Sequence, residues 1–284
     1  MLSLRRARAH PRALVKHALA IMFSTMDSQP QEWLLNDANA LHTLCICCFR
    51  DSAHARKWIH TLVPRNQHGK LLKWSSGSRK ERTERRRAAF IDAMEQHYND
   101  IDFRIHCISS TEGQISNFTQ AFYLQNLENV SQALDAKGKN CLVFRVAKDK
   151  QIAVPVLRAA KLLWIYYCLK YLKEVHKLQG FLHSDWFACD SMGGEVKALG
   201  VSMVNFLLTA TKLDLQISIA KDPKKSEADL LSDWLGGWCN FARSTGATTD
   251  FAKRFLALSD RDSRKFEAIH YACNLEVRVE PETA

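Results

Sequence analysis

The chain has 284 residues, of which 46% are hydrophobic and 25% are charged, which is the composition of a folded globular protein and excludes a disordered one. No apolar run is long enough to cross a bilayer, so no membrane partner is expected. The nine cysteines have no regular spacing, which favours reduced thiols in the cytoplasm over a disulfide framework. The net charge of +10 is concentrated in residues 1–21 and 50–90, as expected of a surface that faces a polyanion.

The first 30 residues are predicted to lie outside the fold. Residues 1–21 are rich in arginine and contain no acid, which is typical of an organellar transit peptide. An equally plausible interpretation, which we favour, is a disordered or non-structural basic extension ahead of a start near Met22 or Met26. The domain is then predicted to span residues 31–250, with residues 251–284 as a C-terminal extension packed on it.

Strand and helix signals alternate along the chain. Strands are predicted at residues 41–49, 70–74, 101–108, 140–147, 180–187 and 213–220. Helices are predicted at 53–62, 79–98 (capped by Ser78), 114–136, 156–178, 196–208 and 226–238, and residues 246–284 are expected to add a helix and a strand. This alternation predicts an α/β fold with a mixed sheet flanked by helices.

Three acids lie at points where such elements meet. Asp51 follows the first predicted strand, and Asp185 lies near the end of a later one. Asp233 lies on the apolar face of the helix predicted at 226–238, which begins with several acids. Sites in α/β sheets gather at the carboxyl ends of strands, and Mg²⁺ and Mn²⁺ prefer oxygen ligands. We therefore predict Asp51, Asp185 and Asp233 as catalytic metal ligands, with Glu227 or Asp229 as a further oxygen donor.

The basic stretch that surrounds the second predicted helix is expected to contact phosphates. A solvated helix face stabilised by pairs such as Glu81 with Arg85 is the alternative. The residues predicted to bind nucleic acid are Lys70, Lys73, Arg79, Lys80, Arg82, Arg85, Arg86 and Arg87.

Two short motifs carry a family resemblance over roughly residues 40–245. Leu-Leu-Lys-Trp-Ser-Ser at residues 71–76, followed by a helix and the strand-like Ile101–Ile105, resembles a motif of the domain-of-unknown-function 3800 family. Leu231–Gly237 is similar to the closing helix motif of that family. The resemblance implies a ribonuclease H-like fold and a metal-dependent nuclease or phosphodiesterase, often associated with bacterial mobile elements and defence.

The chain departs from the family pattern at three places, which leaves the function open. Arg50-Asp51-Ser52 replaces the usual Asp-Glu-Ser, a leucine replaces the acid before Lys73-Trp74, and Leu230 replaces a frequent glutamine. The leading hypothesis is a cytoplasmic Mg²⁺- or Mn²⁺-dependent nuclease. The alternatives are a catalytically degenerate ribonuclease H-like subunit, which binds nucleic acid or a partner protein, and a nucleotide-processing enzyme. A homo-oligomer is a further option.

Overall fold

A computed structural model of the chain describes residues 23–29, 37–74, 80–147, 150–176, 178, 181–183, 194–210, 212–218, 227–245 and 248–271. The strands are β1 (Phe23–Gln29), β2 (Leu41–Phe49), β3 (Arg104–Thr111), β4 (Val130–Leu134), β5 (Asn140–Ala147), β6 (Lys150–Pro155), β7 (Phe181–His183), β8 (Gln216–Ser218) and β9 (Phe266–His270). The helices are α1 (Ser52–Leu62), α2 (Lys80–His97), α3 (Glu112–Gln125), α4 (Val156–His176), α5 (Gly194–Ala210), α6 (Leu230–Ser244) and α7 (Asp250–Ser259).

The main sheet has six strands in the order β8-β7-β1-β2-β3-β9. β1, β2 and β3 form an antiparallel meander, and β7 and β8 continue the sheet parallel to β1. On the opposite edge, β9 pairs in parallel with β3. A separate three-stranded antiparallel sheet contains β4, β5 and β6. The predicted mixed α/β architecture is therefore confirmed.

Strand β2 lies in the centre of the protein and separates two hydrophobic cores. Leu44, Ile46 and Cys48 face the core built with α3, α4 and α5, whereas Cys45 and Cys47 face the core built with α1, α2, α6 and α7. Because both faces of β2 are covered, its sequence is apolar almost throughout and shows little alternation.

The largest difference from the sequence prediction lies at the N-terminus. Residues 23–29, which were predicted to belong to an extension, form β1 between β2 and β7. The prediction that residues up to 30 lie outside the fold is therefore wrong for this segment. Ser24, Thr25 and Ser28 are buried polar residues, and they weaken the apolar signal by which a central strand is normally recognised.

Other boundaries also differ. Residues 70–74 form no strand and make only an isolated bridge between Arg65 and Leu71. Residues 130–134 form β4 rather than the end of a helix, and β6 was not predicted. The helix and strand expected after residue 246 are present as α7 and β9, but β9 extends the main sheet. Ser78 and residues 184–187 lie outside the described part of the chain.

Within the described ranges, none of the helices combines the length and the apolar character that crossing a bilayer requires.

Candidate active site

Two aspartates from distant parts of the chain meet between β1 and α6. Asp27 lies opposite Cys45 in the β1–β2 register, on the face of the sheet that α6 covers. Asp233 lies in the first turn of α6, and the carboxyl groups of the two residues share a hydrogen bond. The hydroxyl groups of Thr25 and Ser232, 2.7 Å apart, join β1 to α6 beside this pair. We refer to Asp27 and Asp233 as the acid pair.

The acid pair is deeply buried, and this determines its protonation. Burial raises the pKa of Asp27 well above its usual range, and the charges of Asp233 and Asp229 raise it further. Burial also raises the pKa of Asp233, although the Trp74 N–H, the hydrogen bond to Asp27 and the charge of Lys73 favour its ionised form. Burial and mutual repulsion therefore disfavour the state in which both carboxyl groups are ionised.

Residues 71–74, which we call the docking segment, bind directly to α6. The backbone N–H of Trp74 donates to Asp233 Oδ2 at 2.7 Å, and Trp234 Nε1 donates to the carbonyl oxygen of Leu72 at 2.6 Å. The Trp74 ring lies against Gly237, where a Cβ atom would overlap it. Gly237 therefore allows the Trp74 ring to approach α6, which places the Trp74 N–H against Asp233.

Two further charged residues lie close to the acid pair. Lys73 has an exposed side chain, and its positive charge acts on Asp233. Asp229 is buried one helical turn before Asp233, whose backbone N–H donates to the Asp229 carbonyl oxygen at 2.9 Å. The negative charge of Asp229 acts on both members of the pair. Three carboxyl groups and one ammonium group thus influence each other here.

Asp51 does not join this site. Its Oδ1 accepts the backbone N–H of His54 at 2.8 Å, so the side chain caps the N-terminus of α1. Cys45 lies opposite Asp27, and β2 runs four residues beyond Cys45 to Phe49, roughly 14 Å at about 3.4 Å per residue, before the chain reaches Asp51. Arg50 also lies away from the pair, with its guanidinium 3.2 Å from Asp102 Oδ2. The geometry therefore supports a structural role for Asp51 in place of the predicted metal role.

Of the two remaining predicted metal ligands, the structure describes Glu227. Glu227 is half exposed, and its Oε2 lies 3.1 Å from His60 Nε2. Asp185 lies outside the described residues, so its predicted role stays a prediction.

The predicted phosphate-binding residues divide into three groups. Lys70, Lys73 and Arg85 have exposed side chains, and that of Arg86 is partly exposed. Arg87 stacks on Trp74 with its guanidinium carbon 4.1 Å from the ring centroid, so it supports the docking segment. Arg79 and the side chains of Lys80 and Arg82 lie outside what the structure describes.

Asp27 is the site residue that the sequence analysis missed. An aspartate followed by serine occurs twice among the first 60 residues, at Asp27 and at Asp51. The long apolar run before Asp51 directed the prediction to the second of these. The first lies in a strand that is polar at three of its buried positions, Ser24, Thr25 and Ser28, and therefore has a weak pattern.

The donor atoms of the acid pair suit a hard divalent cation. Mg²⁺ is commonly held by one or two carboxylates together with water and phosphate oxygens, and Mn²⁺ prefers the same ligands. Asp27 and Asp233 supply two such carboxylates in a buried position, where a cation would relieve their mutual repulsion. Among the residues with described positions, no group of three or more His, Cys, Asp or Glu is arranged to hold a metal ion. Within this described part of the chain, the acid pair therefore supplies two protein ligands.

A second buried polar cluster lies on the opposite face of the sheet. His42 Nε2 is 3.1 Å from Glu112 Oε2, and both side chains are almost fully buried. Burial lowers the pKa of His42 to about 4, and the nearby charge of Lys161 acts in the same direction. Burial also raises the pKa of Glu112, as does the charge of Asp37. This cluster joins β2 to the start of α3 and is separated from the acid pair by the sheet.

Comparisons with protein-family models, with curated proteins and with solved structures found no match to this chain.

Proposed function

We propose that this chain is a nuclease or phosphodiesterase that acts on nucleic acid and uses Mg²⁺ or Mn²⁺ held by Asp27 and Asp233. The observation that carries the proposal is the acid pair itself, because two hydrogen-bonded carboxyl groups from β1 and α6 lie together in a buried position that raises the pKa of both. Burying such a pair is unfavourable, which argues for a function that requires it.

The topology supports a ribonuclease H-like fold. The antiparallel meander β1-β2-β3 is extended on the β1 side by β7 and β8, both parallel to β1. The family usually ends its first strand in Asp-Glu-Ser, which the sequence analysis matched to residues 50–52. We now propose that Asp27-Ser28 on β1, the first strand in chain order, takes that place. The acid of the closing helix is Asp233, as the resemblance implies.

The residues around the acid pair would have different roles in phosphodiester hydrolysis. Asp27 and Asp233 would hold the ion, and Asp233 is kept in place by the Trp74 N–H. A bound divalent ion supplies an activated water and neutralises charge on the phosphate. The exposed Lys70 and Arg85, with Arg86, would attract the polyanion from the basic surface.

Cleavage assays with isosteric variants test this proposal. The wild-type protein is expected to cleave labelled DNA or RNA oligonucleotides with Mg²⁺ or Mn²⁺ and to be inactive in EDTA. Asp27→Asn and Asp233→Asn should each lower the rate by at least about a hundredfold, because each removes a ligand charge. Asp51→Asn is the matched control and should retain activity, since asparagine also caps a helix. Full activity in the Asp27 or Asp233 variant would refute the proposal.

One observation favours the alternative, a catalytically inactive subunit that binds nucleic acid or a partner protein. The residues whose positions are described contain no third ligand arranged with the acid pair. Nucleic-acid binding that persists in EDTA, with no product under any divalent ion, would establish this alternative. A screen of mononucleotide substrates would separately test a nucleotide-processing enzyme.

A reducing compartment such as the cytoplasm is part of the proposal. The seven cysteines whose positions are described are all buried thiols, as expected where thiols stay reduced.

A further inference from the structure

We propose that Lys73 binds the phosphate group that is cleaved at the acid pair, an inference that rests on the proposed function and assigns one residue to the reacting group. The neighbours of Lys73 are both fixed to α6. Leu72 accepts a hydrogen bond from the Trp234 indole, and Trp74 donates one to Asp233. Lys73 is thereby held at the edge of the buried pair.

The side chains of the docking segment point to different environments. Leu72 and Trp74 are buried, whereas Lys73 between them is exposed. Lys73 therefore borders the solvent while its positive charge acts on the buried Asp233. Two other residues predicted to bind phosphate, Lys70 and Arg87, lack this position beside Asp233. Lys70 belongs to the exposed turn closed by Asn66, and Arg87 is committed to the Trp74 ring.

A phosphodiester that approaches two carboxylates is repelled by their charge. A cation at the edge of the pair offsets this repulsion, and lysine suits the task because its ammonium is a compact charge on a flexible stem. A purely structural role would also place a cation near Asp233. The two roles differ in the kinetic constant that changes. Loss of a phosphate contact raises KM, whereas loss of the charge that favours ionised Asp233 weakens metal binding and lowers kcat.

The first experiment uses bis(p-nitrophenyl) phosphate, a single phosphodiester, with Mn²⁺. Lys73→Met should raise KM by at least about tenfold, the usual effect of losing one hydrogen bond to a charged group. Lys73→Arg should recover part of the loss. Lys253→Met, on the exposed face of α7, is the control and should stay within about twofold of wild type. An unchanged KM in Lys73→Met, whatever happens to kcat, would overturn the inference.

The second experiment remains decisive if the protein hydrolyses nothing. Binding of a labelled single-stranded 12-mer is measured in EDTA over a range of salt concentrations. Lys73→Met should reduce the slope of log K against log salt by about 0.7, the value for one phosphate contact on a single strand. Lys253→Met, on the exposed face of α7, should leave the slope unchanged. Equal slopes for Lys73→Met and wild type would overturn the inference, and thermal unfolding of each variant shows whether the fold is intact.

Discussion

Substituting Gly237 tests whether the docking segment is held tightly against α6. In Gly237→Ala the new Cβ atom would overlap the Trp74 ring. The ring has little freedom to move, because Arg87 stacks on it at 4.1 Å and Trp234 packs edge-on with ring centroids 5.3 Å apart. The Trp74 backbone is also fixed by its hydrogen bond to Asp233.

The sign of the effect distinguishes a tight contact from a loose one. Overpacking a core contact costs about 1–3 kcal/mol, whereas replacing glycine by alanine inside a helix gains about 1 kcal/mol. We therefore expect Gly237→Ala to lower the free energy of unfolding by up to about 2 kcal/mol. Urea unfolding, with Ser244→Ala at an exposed position of the same helix as a control, measures the difference.

A double-mutant cycle separates this clash from other effects of the substitution. In a Trp74→Ala background the added methyl group meets no ring, so Gly237→Ala should become neutral or stabilising. A Gly237→Ala variant that is more stable than wild type, by the helix-propensity gain alone, would refute the reasoning about the docking segment.

Three further predictions concern pH, capping and metal. The pKa of His42 is about 4 in the folded protein, below the ordinary value of 6.5. Between pH 6.5 and pH 4 the unfolded state therefore binds more protons than the folded state, and the protein loses stability as the pH falls through this range. His42→Gln should flatten that loss, by up to about 3 kcal/mol in urea unfolding across this pH range, and an equally steep loss in the variant would contradict it. Asp51→Ala should cost about 1 kcal/mol of unfolding free energy, and Asp51→Asn much less, since only alanine removes the cap; equal losses would contradict the capping role. At ten times its dissociation constant Mn²⁺ should stabilise the wild type by about 1.4 kcal/mol in thermal unfolding but not Asp27→Asn or Asp233→Asn, and an equal gain in all three would place the ion elsewhere.

Strands with a continuous apolar run were predictable from sequence, and strands with buried polar residues were not. The bounds of β2 and β5 agree with the prediction, because both are rich in apolar residues and end at polar ones. β1 was missed because it buries serine and threonine, whose burial depends on partners such as Ser232 on a distant helix. Local propensity contains no information about such partners.

The candidate site was only partly predictable, because local sequence contains no information about the distant partners of a residue. Asp233 was identified because an acid on an apolar helix face needs a partner, and the structure provides Asp27 and the Trp74 N–H. Its partner Asp27 was missed together with its strand. Asp51 directly follows an apolar strand, which is also where a metal-binding acid would be expected. The register between β1 and β2 is what shows that Asp51 lies away from the acid pair.

Anomalous diffraction from crystals grown with Mn²⁺ tests most directly whether Asp27 and Asp233 form a cation site. The proposed function predicts a manganese peak within ligand distance of both carboxyl groups, about 2.1 Å from an oxygen of each. Crystals in which manganese is absent from the acid pair, or is bound at Asp51 instead, would contradict it.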